Sequence, residues 1–214
     1  MQTLLLRIKG MQSWGDTSYV HRHTRNEPTF SGIMGLIGSA MNIRTNTLEF
    51  EPFSKLKMSI RVEKEGCKQV DYQNASHFKT LANSPRKKGK ENEQTWRYYM
   101  SDADFIVALT GKKETIEQVA KAIKHPKYHI CFGRLCFTPS YPLFAGVYEG
   151  DNPLETLKNI NVLYGEKLKK GLTRFVYESD EITMSSEEVK DGIGHKTRVI
   201  QSKWFNVGEE NVSV

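Results

Sequence analysis

The amino-acid sequence predicts an α+β fold, and three observations support this prediction. Apolar runs typical of strands occupy residues 3–8, 57–63 and 105–109. Apolar side chains recur at helical spacing in residues 33–43 and 114–123. A long polar insertion separates the second and third of these strands. The order strand, helix, strand, insertion, strand, helix needs only one more strand to complete a ferredoxin-like βαββαβ unit.

The first strand lies in the most apolar part of the N-terminal region. Residues 3–8 read TLLLRI, an unbroken run typical of a strand at the centre of a sheet. Gly10 ends the strand. The turn-like stretch that follows carries Trp14, whose large ring we expect to pack in the core.

A polar loop is predicted for residues 16–30, and it carries His21, Arg22, His23 and Arg25. Histidines one residue apart can bind a metal ion, but no carboxylate or cysteine stands at ligand spacing. We therefore predict no metal site and a basic loop that faces solvent or phosphate.

The first helix is predicted over residues 33–43, with Ser31 as its N-cap. Glycines recur every third residue, at Gly32, Gly35 and Gly38, although glycine lowers helix propensity. We interpret Gly35 and Gly38 as sites of tight packing on the sheet. For Ser31 and Gly32 we favour a helix N-terminus that a nucleic-acid backbone can approach.

The insertion at residues 74–105 is the least apolar part of the predicted core unit. It carries a basic run, Arg86, Lys87, Lys88 and Lys90, and then the cluster Trp96, Arg97, Tyr98 and Tyr99. A loop of this length is usually functional or disordered. Cations attract phosphate and aromatic faces stack on unpaired bases, so the mixture favours nucleic-acid contact. The alternative is a solvated loop in which Trp96 and Tyr99 pack on the core.

The rest of the chain supplies the last strand and an extension. Pro126 ends the helix at residues 114–123. Two segments, 130–137 and 143–148, compete for the final strand, and we favour the second because a Gly-Arg pair interrupts the first. The prediction is one domain over 1–150 and a β-rich extension over 151–214 packed on it. The extension is predicted to contain a short helix at 153–158 and strands at 173–178 and 198–207, with a polar loop between the strands.

Composition limits the function classes. The 214 residues are enough for one large domain, and the formal net charge of +6 suits an acidic partner such as nucleic acid. The first apolar run is too short for a signal peptide or a membrane span. Three sparse cysteines, Cys67, Cys131 and Cys136, indicate a reducing compartment. We expect a soluble, cytoplasmic protein that does not contact a membrane.

No strong catalytic motif is present, since the sequence lacks a P-loop and a nucleophile elbow. The best enzymatic set is Lys124 and His125 with the nearby Tyr128. These residue types can cleave RNA through its 2′-hydroxyl group. Cations at this position also complement the C-terminus of the preceding helix without any catalysis.

Four segments together resemble one protein family. They are TLLLRIKGMQSWG, PTFSGIMGLIGSAMNI, QTWRYYMSDADFIVAL and FGRLCFTPSYPLF, and they occur in this order. The chain resembles the CasD-type subunits of Cascade, the type I-E CRISPR surveillance complex, which form the fifth Cas family of the RAMP superfamily. The resemblance covers nearly the whole chain and is weakest after about residue 165.

The resemblance implies a ferredoxin-like (RRM-like) fold with a long inserted thumb, here at about residues 74–97. It implies a non-catalytic antiviral role: holding the 5′ handle of the guide RNA and capping one end of the complex, without a cofactor. The implied partners are guide RNA, the backbone and large subunits and, through the complex, target DNA. Type I-C relatives cleave precursor RNA with a Tyr, Lys and His set. A metal-independent endoribonuclease therefore remains the alternative. A free-standing RNA chaperone of RRM type has little support, because no RNP-like aromatic pattern lies on a central strand.

Twelve residues are predicted to contact RNA. Arg97 is the best single candidate, because a guanidinium can stack on a base as well as meet a phosphate. Arg134 is a weaker candidate, with an ordinary surface arginine as the alternative. The full set is Gln12, Arg22, Arg25, Ser31, Gly32, Arg86, Lys87, Lys88, Lys90, Trp96, Arg97 and Arg134.

Overall fold

The structure, a computed structural model, describes residues 1–15, 21–76, 92–168, 170–179, 186–190 and 197–207. The strands in these ranges are β1 Gln2–Gln12, β2 His21–Arg22, β3 Lys57–Lys64, β4 Cys67–Ser76, β5 Asn92–Gly111, β6 Phe144–Glu149, β7 Val162–Leu163, β8 Glu166–Lys167, β9 Gly171–Glu178, β10 Ser186–Lys190 and β11 Thr197–Val207. The helices are α1 Phe30–Met41, α2 Glu51–Ser54, α3 Lys113–Lys124 and α4 Pro153–Asn159, with one 3-10 turn at Leu48–Phe50.

A mainly antiparallel sheet organises the chain. Its strands follow the order β10-β11-β9-β3-β5-β1-β6, and β2 and β4 both pair with β5 beyond this path. β1 is antiparallel to both of its neighbours, β5 and β6, and β3 is antiparallel to β5. The predicted strands at 3–8, 57–63, 105–109 and 143–148 all lie in this sheet. The competing segment 130–137 forms turns instead of a strand.

The sheet buries apolar side chains on both faces, which explains why β1 has no polar alternation. Leu4 and Leu6 pack on one face with α1 and α3, whereas Leu5 packs on the other face with Leu157 and Phe175. Side chains of a strand alternate between faces, so a strand covered on both sides has to be apolar throughout. The two cores place β1 and β5 at the centre of the molecule.

Helix α1 begins about one turn earlier than the sequence predicts. The predicted N-cap, Ser31, is wrong, because the helix starts at Phe30 and Thr29 is the N-cap. Thr29 has an extended backbone, and its hydroxyl oxygen accepts a hydrogen bond from the amide of Gly32 at 3.1 Å. This three-residue spacing is the usual geometry of an N-cap side chain. Asn42 ends the helix in the left-handed conformation.

The predicted insertion at 74–105 is largely strand in the part that the structure describes. β4 runs antiparallel to the first half of β5, with register pairs from Cys67↔Ser101 to Ser76↔Asn92. The expectation of a loop is therefore wrong for residues 74–76 and 92–104, which cross-strand pairing holds in β4 and β5. Residues 77–91 lie outside the described ranges. They include the four cations predicted for the thumb, Arg86, Lys87, Lys88 and Lys90.

A bulge divides β5 into two halves. Asp102 has a φ of 55°, and the register of β5 against β1 shifts here, between the pairs Gly10↔Ala103 and Gln12↔Met100. An extra residue bends a strand and reverses the alternation of side chains beyond it. The half of β5 that pairs with β4 therefore presents its side chains independently of the half in the central sheet.

The C-terminal third extends the same sheet. β9 pairs with β3 and with β11, and β11 pairs with β10. The predicted strands at 173–178 and 198–207 and the predicted helix at 153–158 are confirmed as β9, β11 and α4. The polar segment between β9 and β11, predicted to be a loop, contains β10. No helix within the described ranges is long and apolar enough to span a membrane.

Candidate nucleic-acid interface

Three arginines, Arg22, Arg97 and Arg134, lie on one face of the sheet around β5. Strand pairing positions Arg22 and Arg97. Arg97 lies opposite Asp71 on β4 and opposite Arg22 on β2. Residues directly opposite each other on paired strands share a face, so these three side chains lie on the same side. Strand pairing thus brings together two cations that are far apart in the sequence.

Arg134 joins this face from a loop. Its guanidinium donates at 3.4 Å to the carboxylate of Asp71 and at 3.4 Å to the carbonyl of Tyr98. It also lies 5.6 Å from the ring centroid of Tyr99 and 5.0 Å from that of Phe137. Burial lowers the pKa of Arg134, the nearby Asp71 carboxylate opposes this effect, and the charge of Arg97 adds to it.

The position of Arg134 depends on the glycine before it. Gly133 has a φ of +89°, and a Cβ there would lie 1.9 Å from the carbonyl oxygen of Ser13. The amide of Ser13 in turn donates to the carbonyl of Phe132 at 2.9 Å. Only glycine allows this backbone approach, so the turn at 132–134 is fixed against the end of β1.

The arginine group is defined as Arg22, Arg97 and Arg134. Among the described contacts of these arginines, the carboxylate of Asp71 pairs with Arg134. Among the described residues, the Nε atom of Arg97 is buried and has no hydrogen-bond partner. A buried donor without an acceptor is costly and calls for an explanation. Arg97 as a whole residue is half-buried, and guanidinium groups on a surface donate to phosphate oxygens and base edges.

The opposite face of the same strand is aromatic. Trp96 and Tyr98 alternate with Arg97 along β5 and therefore face the other way. The ring of His21 stacks on Trp96 with centroids 4.8 Å apart, and that of His23 stacks on Tyr98 at 4.7 Å. Tyr72 on β4 also lies against Trp96, with centroids 5.4 Å apart.

Sequence reasoning missed the position of the two histidines. The sequence predicts a polar loop for the segment that contains them, and no local pattern connects that segment to the rings of Trp96 and Tyr98. The alternation of aromatic and basic side chains through Trp96, Arg97 and Tyr98 was a local sign of a strand, and a strand there would have offered an edge for β2 to pair with.

The predicted contact Gln12 lies in the core. It has no exposed surface, and its amide oxygen accepts a hydrogen bond from the indole of Trp14 at 2.6 Å. Its amide nitrogen donates to the carbonyls of Gly10 and Ala103 at 3.2 and 3.4 Å. The structure therefore places Gln12 away from any surface ligand. Trp14 is only 2% exposed, as expected of a core aromatic.

Three other predicted residues lie away from the arginine group. A Cβ at Gly32 would lie 2.7 Å from the ring of Trp14, so this glycine serves the packing of α1 on that ring. Ser31 is half-buried within the first turn of α1. Arg25 forms an ion pair with Glu187 on β10. The described contacts connect none of the three to Arg97.

The residues of the cleavage hypothesis lie in two separate clefts. Lys124 and His125 line a groove of about 570 Å³ with Gln2 and Val147, and the ammonium of Lys124 lies 4.0 Å from the ring centroid of Phe144. Tyr128 is absent from the lining of this groove. It lines a different cleft with residues at the C-terminal end of α1.

Comparison with known proteins decides the family. The family described as CRISPR-associated protein (Cas_Cas5) matches residues 3–207 of this chain. The chain belongs to this family. A curated relative, the CRISPR system Cascade subunit CasD of Escherichia coli (strain K12), is 30% identical over 176 residues, which cover 76% of this chain and 79% of the relative.

Two solved structures are similar to the Cas5 chain. The first is described as a CRISPR RNA-guided surveillance complex, and one of its chains aligns with a TM-score of 0.75 at 25% identity, covering 96% of this chain and 90% of that one. The second, described as the crystal structure of a Cas protein, aligns with a TM-score of 0.70 at 25% identity, with coverage of 96% and 94%. The mixed α/β fold with its antiparallel sheet is therefore shared with solved Cas structures.

Proposed function

We propose that this chain is an RNA-binding subunit of a CRISPR surveillance complex of the Cascade type, and that it holds the 5′ handle of the guide RNA at one end of the complex. The observation that carries this proposal is the alignment of nearly the whole chain with a chain of an RNA-guided surveillance complex. The relative named CasD, a Cascade subunit, adds support from sequence.

The core of the subunit is a ferredoxin-like unit formed by β1, α1, β3, β5, α3 and β6. The sheet order β3-β5-β1-β6 with antiparallel neighbours supports this assignment. The β4–β5 hairpin is then the base of the thumb. The thumb itself is the segment that carries Arg86, Lys87, Lys88 and Lys90.

The arginine group is the part of the subunit that binds RNA. The handle of a guide RNA is single-stranded, so its phosphates and base edges are accessible to side chains. Arg97 is half-buried on this face, and Arg22 and Arg134 add charge beside it. Arg97 contacts a base edge or a phosphate, and the other two neutralise neighbouring phosphates.

The subunit acts by assembly and not by catalysis. Its partners are guide RNA, the backbone and large subunits and, through the complex, target DNA, all in the cytoplasm. The separation of Tyr128 from the groove of Lys124 and His125 supports a non-catalytic role.

Reconstitution with partner subunits and guide RNA tests the proposal. Ultraviolet crosslinking of the assembled complex should join this subunit to nucleotides of the 5′ handle. Crosslinks confined to the 3′ end, or a complex that assembles equally well without this subunit, would contradict it.

The nuclease alternative is tested with the variant His125→Ala. This variant should leave the length and amount of mature guide unchanged, because the proposed role needs no proton transfer by His125. Gel analysis of guide RNA from cells with equal amounts of either protein measures this. Discrete cleavage of repeat RNA by the purified chain, abolished in the variant, would promote the nuclease hypothesis.

A further inference from the structure

The aromatic face of the β4–β5 hairpin contains two rows of rings that run across the strands. The first row is Tyr72, Trp96 and His21, and the second pairs Tyr98 with His23. The planes of His21 and Trp96 differ by 16°, and those of His23 and Tyr98 by 18°. Each row therefore ends in an imidazole that lies nearly parallel to the ring behind it.

The two imidazole rings also lie side by side and nearly parallel to each other. Their centroids are 6.3 Å apart and their planes differ by 18°. Both histidines are exposed, whereas Trp96 and Tyr98 are partly covered. The outer surface of this face is thus formed by two parallel, accessible rings, each backed by a second aromatic ring that keeps it in place.

We propose that His21 and His23 form a stacking platform for two unpaired RNA bases, on the side of β5 opposite the arginine group. Histidine is among the side chains on which unpaired bases stack, and stacking accepts any base because every base has a π-face. This inference rests on the proposed function, because the bases belong to the guide RNA.

The surroundings of the platform favour RNA over a protein partner. Its exposed surface includes imidazole and phenol rings, and the alternation along β4 puts the exposed Lys68 and Val70 on the same face. Asp71 points to the other face, where it pairs with Arg134. The same hairpin therefore has aromatic rings on one face and cations on the other. Single-stranded RNA that passes the edge of the hairpin can contact both faces.

Complex formation on guide RNA tests the platform. The variant His21→Ala/His23→Ala should bind guide RNA about 30-fold more weakly or worse in the reconstituted complex, which corresponds to the low end of the stacking contribution for each of two bases. His21→Phe/His23→Phe should restore most of the affinity, because it keeps the planes and removes the titratable nitrogens. His129→Ala, an exposed histidine elsewhere, is the matched control and should bind like the wild type.

Abasic guide RNAs provide the second readout. Abasic nucleotides at one or two handle positions should weaken guide binding by the wild type by a similar factor. They should not further weaken guide binding by the double-alanine variant. If that variant binds intact guide like the wild type while Arg97→Ala binds poorly, the platform is wrong and the proposed function stands. If it fails to join the partner subunits in the absence of RNA, the rings contact protein, and the inference is overturned as well. If neither the alanine variant nor Arg97→Ala has any effect, the proposed function itself fails.

Discussion

At the scale of single residues, Arg61 shows how a charge is held inside this fold. Its side chain is fully buried on β3, and its guanidinium donates to the carbonyls of Leu157 and Ile160 at 3.1 and 2.7 Å. It also pairs with the carboxylate of Glu63 at 2.6 Å. Burial lowers the pKa of Arg61, and the charge of Glu63 opposes that shift. The contacts connect the end of α4 to the sheet, where helix carbonyls otherwise lack partners.

Replacing Arg61 should destabilise the protein strongly. Arg61→Met removes the donor from two buried carbonyls and the cation from the Glu63 carboxylate, and breaking a buried ion pair in this way costs about 3–5 kcal/mol. Urea unfolding followed by circular dichroism measures the change. Arg44→Met is the control, because Arg44 is exposed and its replacement should change stability by no more than about 0.5 kcal/mol. Equal stability of the two variants would show that the Arg61 contacts contribute little.

At the scale of elements, the strands and helices that could be predicted are those whose signal is local. The apolar run of β1, the amphipathic pattern of α3 and the alternation of β3 all lie within one segment. The β4–β5 hairpin carries only the short alternation of Trp96, Arg97 and Tyr98 as a local signal, because most of its stability comes from pairing between two segments. The misplaced N-cap at Ser31 has a similar cause, since both Thr29 and Ser31 are good caps and only the backbone path decides between them.

The turn at Gly133 is the element that places Arg134. Gly133→Ala should destabilise the fold by roughly 1–3 kcal/mol, because φ is +89° and the new Cβ would meet the carbonyl of Ser13. It should also weaken guide RNA binding, because the loop has to move and takes Arg134 with it. Stability is read from thermal unfolding and binding from complex formation on guide RNA.

Gly165→Ala is a matched control for this prediction. Gly165 has a similar φ of +80°, but a Cβ there would have no neighbour within 4 Å. This variant should show backbone strain alone, with guide binding unchanged. Equal weakening of guide binding in both variants would mean that the packing of Gly133 against Ser13 does not position Arg134.

At the scale of the whole molecule, strand pairing produces the candidate site. Arg22, Arg97 and Arg134 come from three segments, and each was predicted singly from its residue type and the surrounding pattern. The register of β2 against β5 brings Arg22 to Arg97, and the turn at Gly133 adds Arg134 to the same face. Gln12 is an example in which the fold removes a predicted contact. The sequence predicts that it contacts RNA, but in the folded chain its amide oxygen accepts a hydrogen bond from the Trp14 indole in the core.

Titration of complex formation on guide RNA across salt tests the central claim most directly. The proteins compared are the wild type, Arg97→Ala, Arg97→Lys, the control Arg44→Ala and a thumb variant with Arg86, Lys87, Lys88 and Lys90 all changed to Ala. Arg97→Ala should weaken binding by roughly 1–3 kcal/mol, on the scale of a good base contact. Arg97→Lys should restore little of this, because an ammonium keeps the charge and loses the planar donors. Each phosphate that the thumb variant no longer neutralises should reduce the log–log salt slope by about 0.7. If Arg97→Ala binds like the wild type and the thumb variant keeps the full salt slope, neither Arg97 nor the thumb contacts the guide RNA.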